Sequence, residues 1–347
     1  RSFADDTTVR ITADGSVRGV DGITITGNNA RIVNDGHVAG AGAGLVVGGT
    51  AGSIINNGTV TGLMYGITLV DFNAESFTIR NNGTVAAETG MFLAGMDVTV
   101  ELGAGSVIRG GAFGIAASTT LGASIDVTNA GRILVAGGTA INGVDGGDDR
   151  IVNSGRIVGD VTLRGGNDTF IDRGGSVAGR IDGGRGDDTY VLKSGLDVFE
   201  GANGGYDTVK ATVSYSLQGR GEIEALRLTG KKNIEAIGNA LDNVLTGNKG
   251  GNRIDGSAGD DMLTGGRGRD VFVFAALNGT DTIADFEQGR DRIEIEGFDV
   301  FNRFKDLDIR QEGRDVVIDF SAERAGDMLV IENARVKDFD KGDFIFV

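Results

Sequence analysis

The chain has 347 residues, among them 61 glycines and a single histidine, His37, but no cysteine, proline or tryptophan. The absence of cysteine excludes disulfide scaffolds, thiolate metal sites and thiol nucleophiles, and one histidine excludes a site built on a histidine pair. The formal net charge of −16 disfavours nucleic acid and anionic membranes as partners. No apolar run reaches the roughly 18–20 residues of a membrane span. The glycine content predicts a fold that turns often and tightly.

A short phrase recurs through the first half of the chain: a polar residue, often Asn, then Gly, one further residue and an aliphatic residue. Its marker glycines are Gly15, Gly36, Gly58, Gly83, Gly105, Gly131, Gly155 and Gly175. The mean step between them is about 23 residues. Short alternating β-branched runs lie before and after each marker, and no window has sustained helical spacing.

Three short strands in each repeat predict one turn of a parallel β-helix. A single turn cannot bury its apolar face, whereas stacked turns share a continuous core. The alternative is an antiparallel sandwich with regular hairpins. Because two of the strand positions recur in the same place across several repeats, the pattern favours the β-helix.

A second repeat, of nine residues, begins at Gly238 and continues without interruption to residue 273. Its sixth positions are Asn243, Asn252, Asp261 and Asp270, and its eighth positions are Leu245, Ile254, Leu263 and Phe272. An earlier block, 183–191, fits the same template. This template, G-G-x-G-x-D-x-U-x, is typical of parallel β-rolls that bind calcium.

The residue types in this repeat suit calcium. Ca²⁺ takes six to eight oxygen ligands in a flexible geometry. Glycines allow a loop to turn its carbonyls toward one centre, and the carboxylate at position six adds charge. Two nonapeptides make one turn of a roll, so loops two repeats apart stack on the same side. We therefore expect calcium between the loops of Asn243 and Asp261, and between those of Asn252 and Asp270.

The two repeats merge in the middle of the chain. Asp149, Asp168, Asp188 and Asp207 each precede an apolar strand at a spacing of 19 or 20 residues. This predicts one uninterrupted solenoid whose calcium loops begin near Gly146. The predicted calcium-binding residues are Asp149, Asp168, Gly183, Gly184, Arg185, Gly186, Asp188, Asp207, Asp242, Asn243, Asn252, Gly256, Ala258, Gly259, Asp261, Gly265, Arg267, Gly268, Asp270, Asp281 and Asp285.

Residues 183–274 resemble the hemolysin-type (RTX) calcium-binding repeats of bacterial proteins secreted by the type I route. Residues 200–243 look like the long connector of those proteins, and the segment from Asp270 to Ile293 is similar to the C-terminal domain of serralysin-type proteins. The resemblance implies calcium-driven folding, type I secretion machinery as a partner, and an uncleaved C-terminal secretion signal. The final Asp343-Phe344-Ile345-Phe346-Val347 fits such a signal, and an ordinary last strand is the alternative.

The chain also departs from that family and from β-helical enzymes. Serralysins carry a zinc protease domain, which a single histidine cannot supply. Polysaccharide lyases and epimerases use clustered carboxylates in a groove, whereas the longest insertions here, near 70–76 and 111–123, contain only Asp71 and Glu75 as acidic residues. His37 is most simply a solvent-facing spacer. We therefore predict no enzymatic activity, with a polysaccharide-active or carbohydrate-binding β-helix as the alternative.

Together these observations predict an all-β chain with three regions. Residues 1–145 form a parallel β-helix, residues 146–275 a calcium-binding parallel β-roll, and residues 276–347 a C-terminal β cap with the secretion signal. The predicted protein is extracellular or on a bacterial cell surface, and it folds on several calcium ions after export. Its expected role is structural, adhesive or that of a surface layer. Cell-surface polysaccharide and a second copy of the chain are further candidate partners.

Overall fold

The computed structural model describes residues 6–49, 51–70, 76–95, 97–118, 123–323 and 326–347. These residues form an all-β solenoid with two short 3₁₀ turns, Phe304–Asp306 and Val336–Asp338. No helix among them is long and apolar enough to cross a membrane. Asp71 and Glu75, the acidic residues of the first long insertion, lie outside the described residues.

The chain divides into two compact units. The first comprises Arg1–Tyr190 with Leu196–Gly205, and the second comprises Val191–Gly195 with Tyr206–Val347. The three regions predicted from the repeats, with boundaries at about 145 and 275, stay a prediction.

The first unit is built from short strands that recur in groups of three. They are β1 (Thr8–Ile11), β2 (Ser16–Gly19), β3 (Ile23–Thr26), β4 (Ala30–Asn34), β5 (His37–Gly40), β6 (Ala43–Gly48), β7 (Ala51–Asn56), β8 (Thr59–Gly62), β9 (Tyr65–Val70), β10 (Ser76–Asn81), β11 (Thr84–Ala94), β12 (Val98–Leu102), β13 (Val107–Ser118), β14 (Ile125–Asn129), β15 (Arg132–Asn142), β16 (Arg150–Asn153), β17 (Arg156–Thr162), β18 (Thr169–Asp172), β19 (Ser176–Ala178) and β20 (Ile181–Asp182).

Each strand of the first unit pairs in parallel with its equivalent one turn later. Strand β4 pairs with β7, β5 with β8 and β6 with β9. In β11, β13 and β15 the second and third strands of a turn run together, with a register shift where the corner lies. Alternate side chains point inward, and Ile32, Ile54 and Ile79 stack in register with no exposed surface. This pairing confirms the predicted parallel β-helix.

A column of buried asparagines lies along one corner of this unit. The side-chain amide of Asn34 donates to the side-chain oxygen of Asn56 at 2.7 Å, and Asn56 donates to Asn81 at 2.6 Å. Asn129 and Asn153 continue the column after Leu102, which takes the equivalent position in one turn. Since an amide carries both donors and an acceptor, such a column satisfies its own members in the interior.

Strand β21 (Thr189–Leu192) begins in the first unit and ends in the second. The remaining strands belong to the second unit. They are β22 (Thr208–Ala211), β23 (Tyr215–Ser216), β24 (Ala225–Leu228), β25 (Glu235–Ile237), β26 (Val244–Thr246), β27 (Arg253–Asp255), β28 (Met262–Thr264), β29 (Val271–Ala275), β30 (Thr280–Ile283), β31 (Arg292–Glu296), β32 (Asp308–Glu312), β33 (Asp315–Asp319), β34 (Met328–Ile331) and β35 (Phe344–Phe346).

The second unit has two strands in each turn, as a nonapeptide roll requires. Strands β22, β24, β26, β28, β30 and β34 pair in parallel as one sheet, and β23, β25, β27, β29, β31 and β35 as the other. The eighth residues of the repeats fill the space between these sheets, and Leu245, Ile254 and Leu263 have no exposed surface.

The end of the roll is closed by an antiparallel meander and a group of phenylalanines. Strand β33 pairs antiparallel with both β32 and β34. The ring of Phe320 stacks on those of Phe274 and Phe298, with centroids 4.8 Å apart in both pairs. Strand β35 contains the terminal apolar residues and pairs with β31.

The asparagine column gives the first testable prediction. Asn56→Ala leaves the amide of Asn34 and the side-chain oxygen of Asn81 without their partner in a site with no exposure, so we expect a loss of about 2 kcal/mol or more in the free energy of unfolding. Urea denaturation followed by circular dichroism measures it in calcium-saturated protein.

The neighbouring residue is the control. Asn57 also bonds across turns, to Asp35 and Asn82, but at the surface. We expect Asn57→Ala to cost under about 1 kcal/mol, because water replaces the lost partners. Equal losses in the two variants would show that burial of the column is not what stabilises the turns.

Candidate calcium-binding site

The predicted aspartates of the first unit form one buried column. Each follows a glycine-containing loop and precedes a strand, so the solenoid stacks them at one corner. The backbone N–H of Asp149 donates to Oδ1 of Asp168, and the N–H of Asp168 donates to Oδ1 of Asp188, both at 2.6 Å. All three side chains are 1% exposed. The sequence separations of 19 and 20 residues are those of one turn.

The second unit repeats this arrangement on two sides. On one side, the N–H of Asn243 donates to Oδ1 of Asp261 at 2.7 Å, and the N–H of Asp261 donates to Oδ1 of Asp281 at 3.1 Å. On the other side, Asn252 donates in the same way to Asp270 at 2.7 Å, and Asp270 donates to Asp291 at 2.9 Å. The position-six residues are therefore bonded directly from turn to turn.

The first glycine of each loop leaves room for the position-six side chain. A Cβ atom on Gly183 would lie 2.0 Å from Oδ2 of Asp188, and one on Gly256 would lie 2.2 Å from Oδ2 of Asp261. Both distances are far shorter than a van der Waals contact. A side chain at position one would thus displace the carboxylate, which explains why this position is glycine.

Several of these carboxylates retain an unsatisfied oxygen. Among the residues that the structure describes, Oδ2 of Asp168, of Asp261 and of Asp270 is buried without a hydrogen-bond partner. A buried ionised carboxylate costs several kcal/mol unless it is paired or coordinates a metal. Carboxylate oxygens are the ligands that Ca²⁺ prefers. The residues present therefore fit calcium, and the aspartate side chains at position six would hold it together with the loop carbonyls.

The two asparagines at position six are satisfied differently. The side-chain oxygen of Asn243 accepts from the N–H of Asn239, and its amide donates to the carbonyls of Ile223 and Glu224. Asn252 likewise accepts from Asn248 and donates to the carbonyl of Ile234. An amide supplies donors that a carboxylate lacks, so these two loops are hydrogen-bonded without an ion.

Burial raises the pKa values of the aspartates in these columns. Loss of solvent raises the pKa of Asp168 to about 8 and that of Asp149 to about 7. In the second unit it raises the pKa of Asp270 to about 6, and it also raises the pKa of Asp261. Neighbouring carboxylates in the same column raise these values further, and backbone N–H donors oppose them. A bound divalent cation would offset both the loss of solvent and the repulsion between neighbouring carboxylates.

Other carboxylates bind the paired glycine amides of the loops. Asp285 accepts from the N–H groups of Gly265 and Gly266 at 2.7 and 2.8 Å. Glu200 accepts in the same way from Gly183 and Gly184, and one of its carboxylate oxygens lies within 4.8 Å of one carboxylate oxygen of Asp188. Asp285 was among the predicted residues, whereas Glu200 was missed because no repeat places it.

The remaining predicted residues have varied surroundings. Asp207 is fully buried in the second unit, where its N–H donates to Oε2 of Glu224. Asp242 is exposed and accepts from Asp260 outside the buried columns. The other predicted loop residues all lie in the turns that precede strands, namely Arg185, Gly186, Ala258, Gly259, Arg267 and Gly268. The set of residues that coordinate calcium stays a prediction.

Two members of these columns were not predicted from the sequence. Asp291 accepts from Asp270 one turn earlier, and Glu224 takes the place of an aspartate beside Asp207. A signal for Asp291 was present, since Gly289-Arg290-Asp291 repeats Gly268-Arg269-Asp270. Glu224 also precedes an apolar strand, but a glutamate departs from the repeat template.

Comparison with known proteins identifies the repeats. The model of the RTX calcium-binding nonapeptide repeat matches residues 237–272 in four copies. A curated relative, the endo-1,3-1,4-beta-glycanase ExsH of Rhizobium meliloti (strain 1021), is 36% identical over 165 residues, which are 47% of this chain and 34% of the relative. The chain thus matches about a third of that protein's length.

Among solved structures, the extracellular lipase LipA from Serratia marcescens is similar over 66% of this chain and 40% of the lipase, at 18% identity and a TM-score of 0.26. A TM-score this low does not establish a common fold. The repeat match shows RTX calcium-binding nonapeptide repeats at residues 237–272, and these repeats lie within an all-β solenoid.

The raised pKa values predict how the calcium-free protein responds to pH. Asp149 and Asp168 keep their protons in the folded state up to about pH 7 and 8, whereas an unfolded chain releases them near pH 4. The folded state therefore binds more protons between these limits, and its stability is present at low pH and lost as the pH rises. We expect the free energy of unfolding to fall by at least ~1 kcal/mol from pH 5 to pH 8.

The folded fraction of calcium-free protein, followed by far-UV circular dichroism at pH 5, 6, 7 and 8, measures this dependence, because the folded fraction falls with the free energy of unfolding. The same series at saturating calcium is the control, and there the loss is expected to be smaller because the ion stabilises the ionised carboxylates. Calcium-free stability that stays level or increases over this range would contradict the prediction.

Proposed function

We propose that this protein is a secreted β-solenoid that folds on calcium outside the cell and then acts as a rigid structural or adhesive element. The observation that carries the proposal is the set of buried carboxylate oxygens without a partner at Asp168, Asp261 and Asp270. These oxygens lie in both units, so the requirement for a cation extends beyond the matched repeats at 237–272.

Repulsion between the stacked carboxylates is the physical reason for folding on calcium. Stacked carboxylates at one corner repel one another and lose solvent as the turns assemble, and the protein is already strongly acidic at −16. An ion that binds only the folded state stabilises it by about 1.4 kcal/mol per site at a tenfold excess over its dissociation constant. Several sites together thus move a marginal unit from unfolded to folded.

The same dependence supports export in an unfolded state. Extracellular calcium-binding modules have dissociation constants of about 10⁻⁴–10⁻³ M, far above the calcium levels at which cytosolic buffers operate. A chain with sites in this range stays open inside the cell and closes outside it. RTX repeats support secretion by the type I route, with the machinery of that route as a partner.

A structural role agrees with the distribution of acidic groups. Glycoside hydrolysis ordinarily uses two carboxyl groups on either side of the scissile bond. A pocket in the described part of the first unit has one carboxylate in its lining, Asp145. The buried carboxylates of the columns are engaged by backbone N–H groups. We therefore favour binding and assembly over catalysis.

Polysaccharide hydrolysis is the second candidate function. It is favoured by one observation, the 36% identity to a protein named as an endo-1,3-1,4-beta-glycanase over 47% of this chain. Release of reducing ends from a mixed-linkage β-glucan by the calcium-loaded chain would support it.

Substitution at position six tests calcium-dependent folding. Asp261→Asn keeps the size of the side chain and the oxygen that accepts from Asn243, but it removes a buried negative charge. We expect the calcium midpoint of folding to rise roughly three- to tenfold, since ligand charge sets affinity in such sites. Far-UV circular dichroism and hydrodynamic radius during a calcium titration measure it.

The adjacent aspartate gives a matched control. Asp260 is exposed, and its Oδ1 accepts from the N–H of Thr280 outside the buried column. Asp260→Asn makes the same chemical change, and we expect its calcium midpoint to stay within about twofold of the original. The proposal fails if the original chain folds fully without calcium, or if both variants shift equally.

A further inference from the structure

A pocket lies in the first unit, next to the loop of Asp149. The N–H of Val144, one of its lining residues, donates to Oδ2 of Asp149 at 2.9 Å. The pocket has a volume of about 300 Å³, at the small end of the range for ligand sites. Three half-buried aromatic rings line it, Tyr65 in β9, Phe92 in β11 and Phe113 in β13. The rings of Tyr65 and Phe92 are in contact, with centroids 5.3 Å apart. Successive turns of the solenoid thus place aromatic faces side by side.

The lining also has a polar wall. It includes Asn142, Asp145 and Arg164, which come from the next two turns. Nε of Arg164 donates to the side-chain oxygen of Asn142 at 3.0 Å, and its guanidinium lies 3.5 Å from Oδ2 of Asp145. Small residues, Ala116 and Ala117, also line the pocket.

The backbone of Arg164 has a conformation that is unfavourable for an arginine. Its φ is +78°, in the left-handed region that disfavours residues with a Cβ. One turn later the equivalent loop has Gly184, with φ +102°. The carbonyl of Arg164 accepts from the N–H of Arg185 as the loops stack. The strained backbone of Arg164 therefore coincides with the contacts that its side chain makes in the pocket, to Asn142 and Asp145.

We infer that this pocket binds a neutral hexopyranose unit of a polysaccharide. Aromatic faces pack against the C–H faces of a sugar ring, and planar amide, carboxylate and guanidinium groups form paired hydrogen bonds with its hydroxyls. One positive and one negative side chain in the lining leave it without net charge, and a protein charge of −16 repels acidic glycans. This inference deepens the adhesive role proposed above by naming its ligand.

The site also connects ligand binding to the calcium loops. Arg164 and Asp168 belong to the same loop, and the N–H of Asp168 continues the carboxylate column. The polar wall of the pocket is therefore complete only when this loop has its folded conformation.

Isothermal titration calorimetry of the full chain in calcium tests the inference. The probes are a soluble neutral β-glucan, a galactomannan, and alginate as an anionic glycan. We expect millimolar or tighter binding of a neutral glycan and none of alginate. Phe113→Ala and Arg164→Gly are expected to weaken binding at least tenfold. Arg156→Ala, which removes an exposed arginine outside the pocket, is expected to leave binding unchanged.

Arg164→Gly separates a binding role from a structural one. Glycine accepts a φ of +78° without strain, so this variant is expected to keep or increase its thermal midpoint while it loses the ligand. The inference is overturned if no neutral glycan binds, if alginate alone binds, or if both pocket variants bind normally. A calcium titration of the same samples shows whether calcium-dependent folding holds independently of that result.

Discussion

Most of the described turns of this solenoid bury a polar side chain at a corner, and the structure depends on how that side chain is satisfied. In the first unit an asparagine column and an aspartate column do this in opposite ways. Asn34, Asn56 and Asn81 donate and accept along the column, so no further partner is required. Asp168 can only accept when it is ionised, and its Oδ2 has no partner among the described residues. The carboxylates therefore introduce a dependence on a cation that the amides do not.

The second unit uses both side chains at one structural position. Asn243 and Asn252 are hydrogen-bonded within their loops, whereas Asp261 and Asp270 in the following turn are not fully satisfied. All four residues take part in the same kind of bond between turns. The N–H groups of Asn243 and Asn252 donate to the carboxylates of Asp261 and Asp270, respectively. Under the proposed function, the choice between amide and carboxylate at this position decides whether a loop requires calcium.

The corner loops also link stability to the proposed ligand site. Arg164 occupies a loop position that favours glycine, and its side chain extends to Asn142 and Asp145 at the edge of the aromatic pocket. Residues that disagree with the local preference of a fold are expected at functional positions. The same loop contributes Asp168 to the carboxylate column, so the proposed glycan site and the calcium-dependent structure share one segment of chain.

The sequence by itself determined the fold class, because strand periodicity and turn glycines are local properties that recur in every repeat. The position-six residues and the buried position-eight residues Leu245, Ile254 and Leu263 follow from the same nonapeptide period. Irregular partners could not be found in this way. Glu200 and Glu224 lie outside the repeat template and reach the loops only through the winding of the chain.

Tertiary structure alone decided which oxygens stay unsatisfied and which side chains share a pocket. The sequence assigned Asn243 and Asp261 equivalent roles, but the amide of Asn243 meets the carbonyls of Ile223 and Glu224 in the preceding turn. Tyr65 and Phe113 occupy the same repeat position, before Gly66 and Gly114, whereas Phe92 does not. Only the stacking of turns brings the three rings to one pocket. Burial, charge repulsion and hydrogen bonding act between turns, so they depend on register in space, which a repeat period predicts only where it is regular.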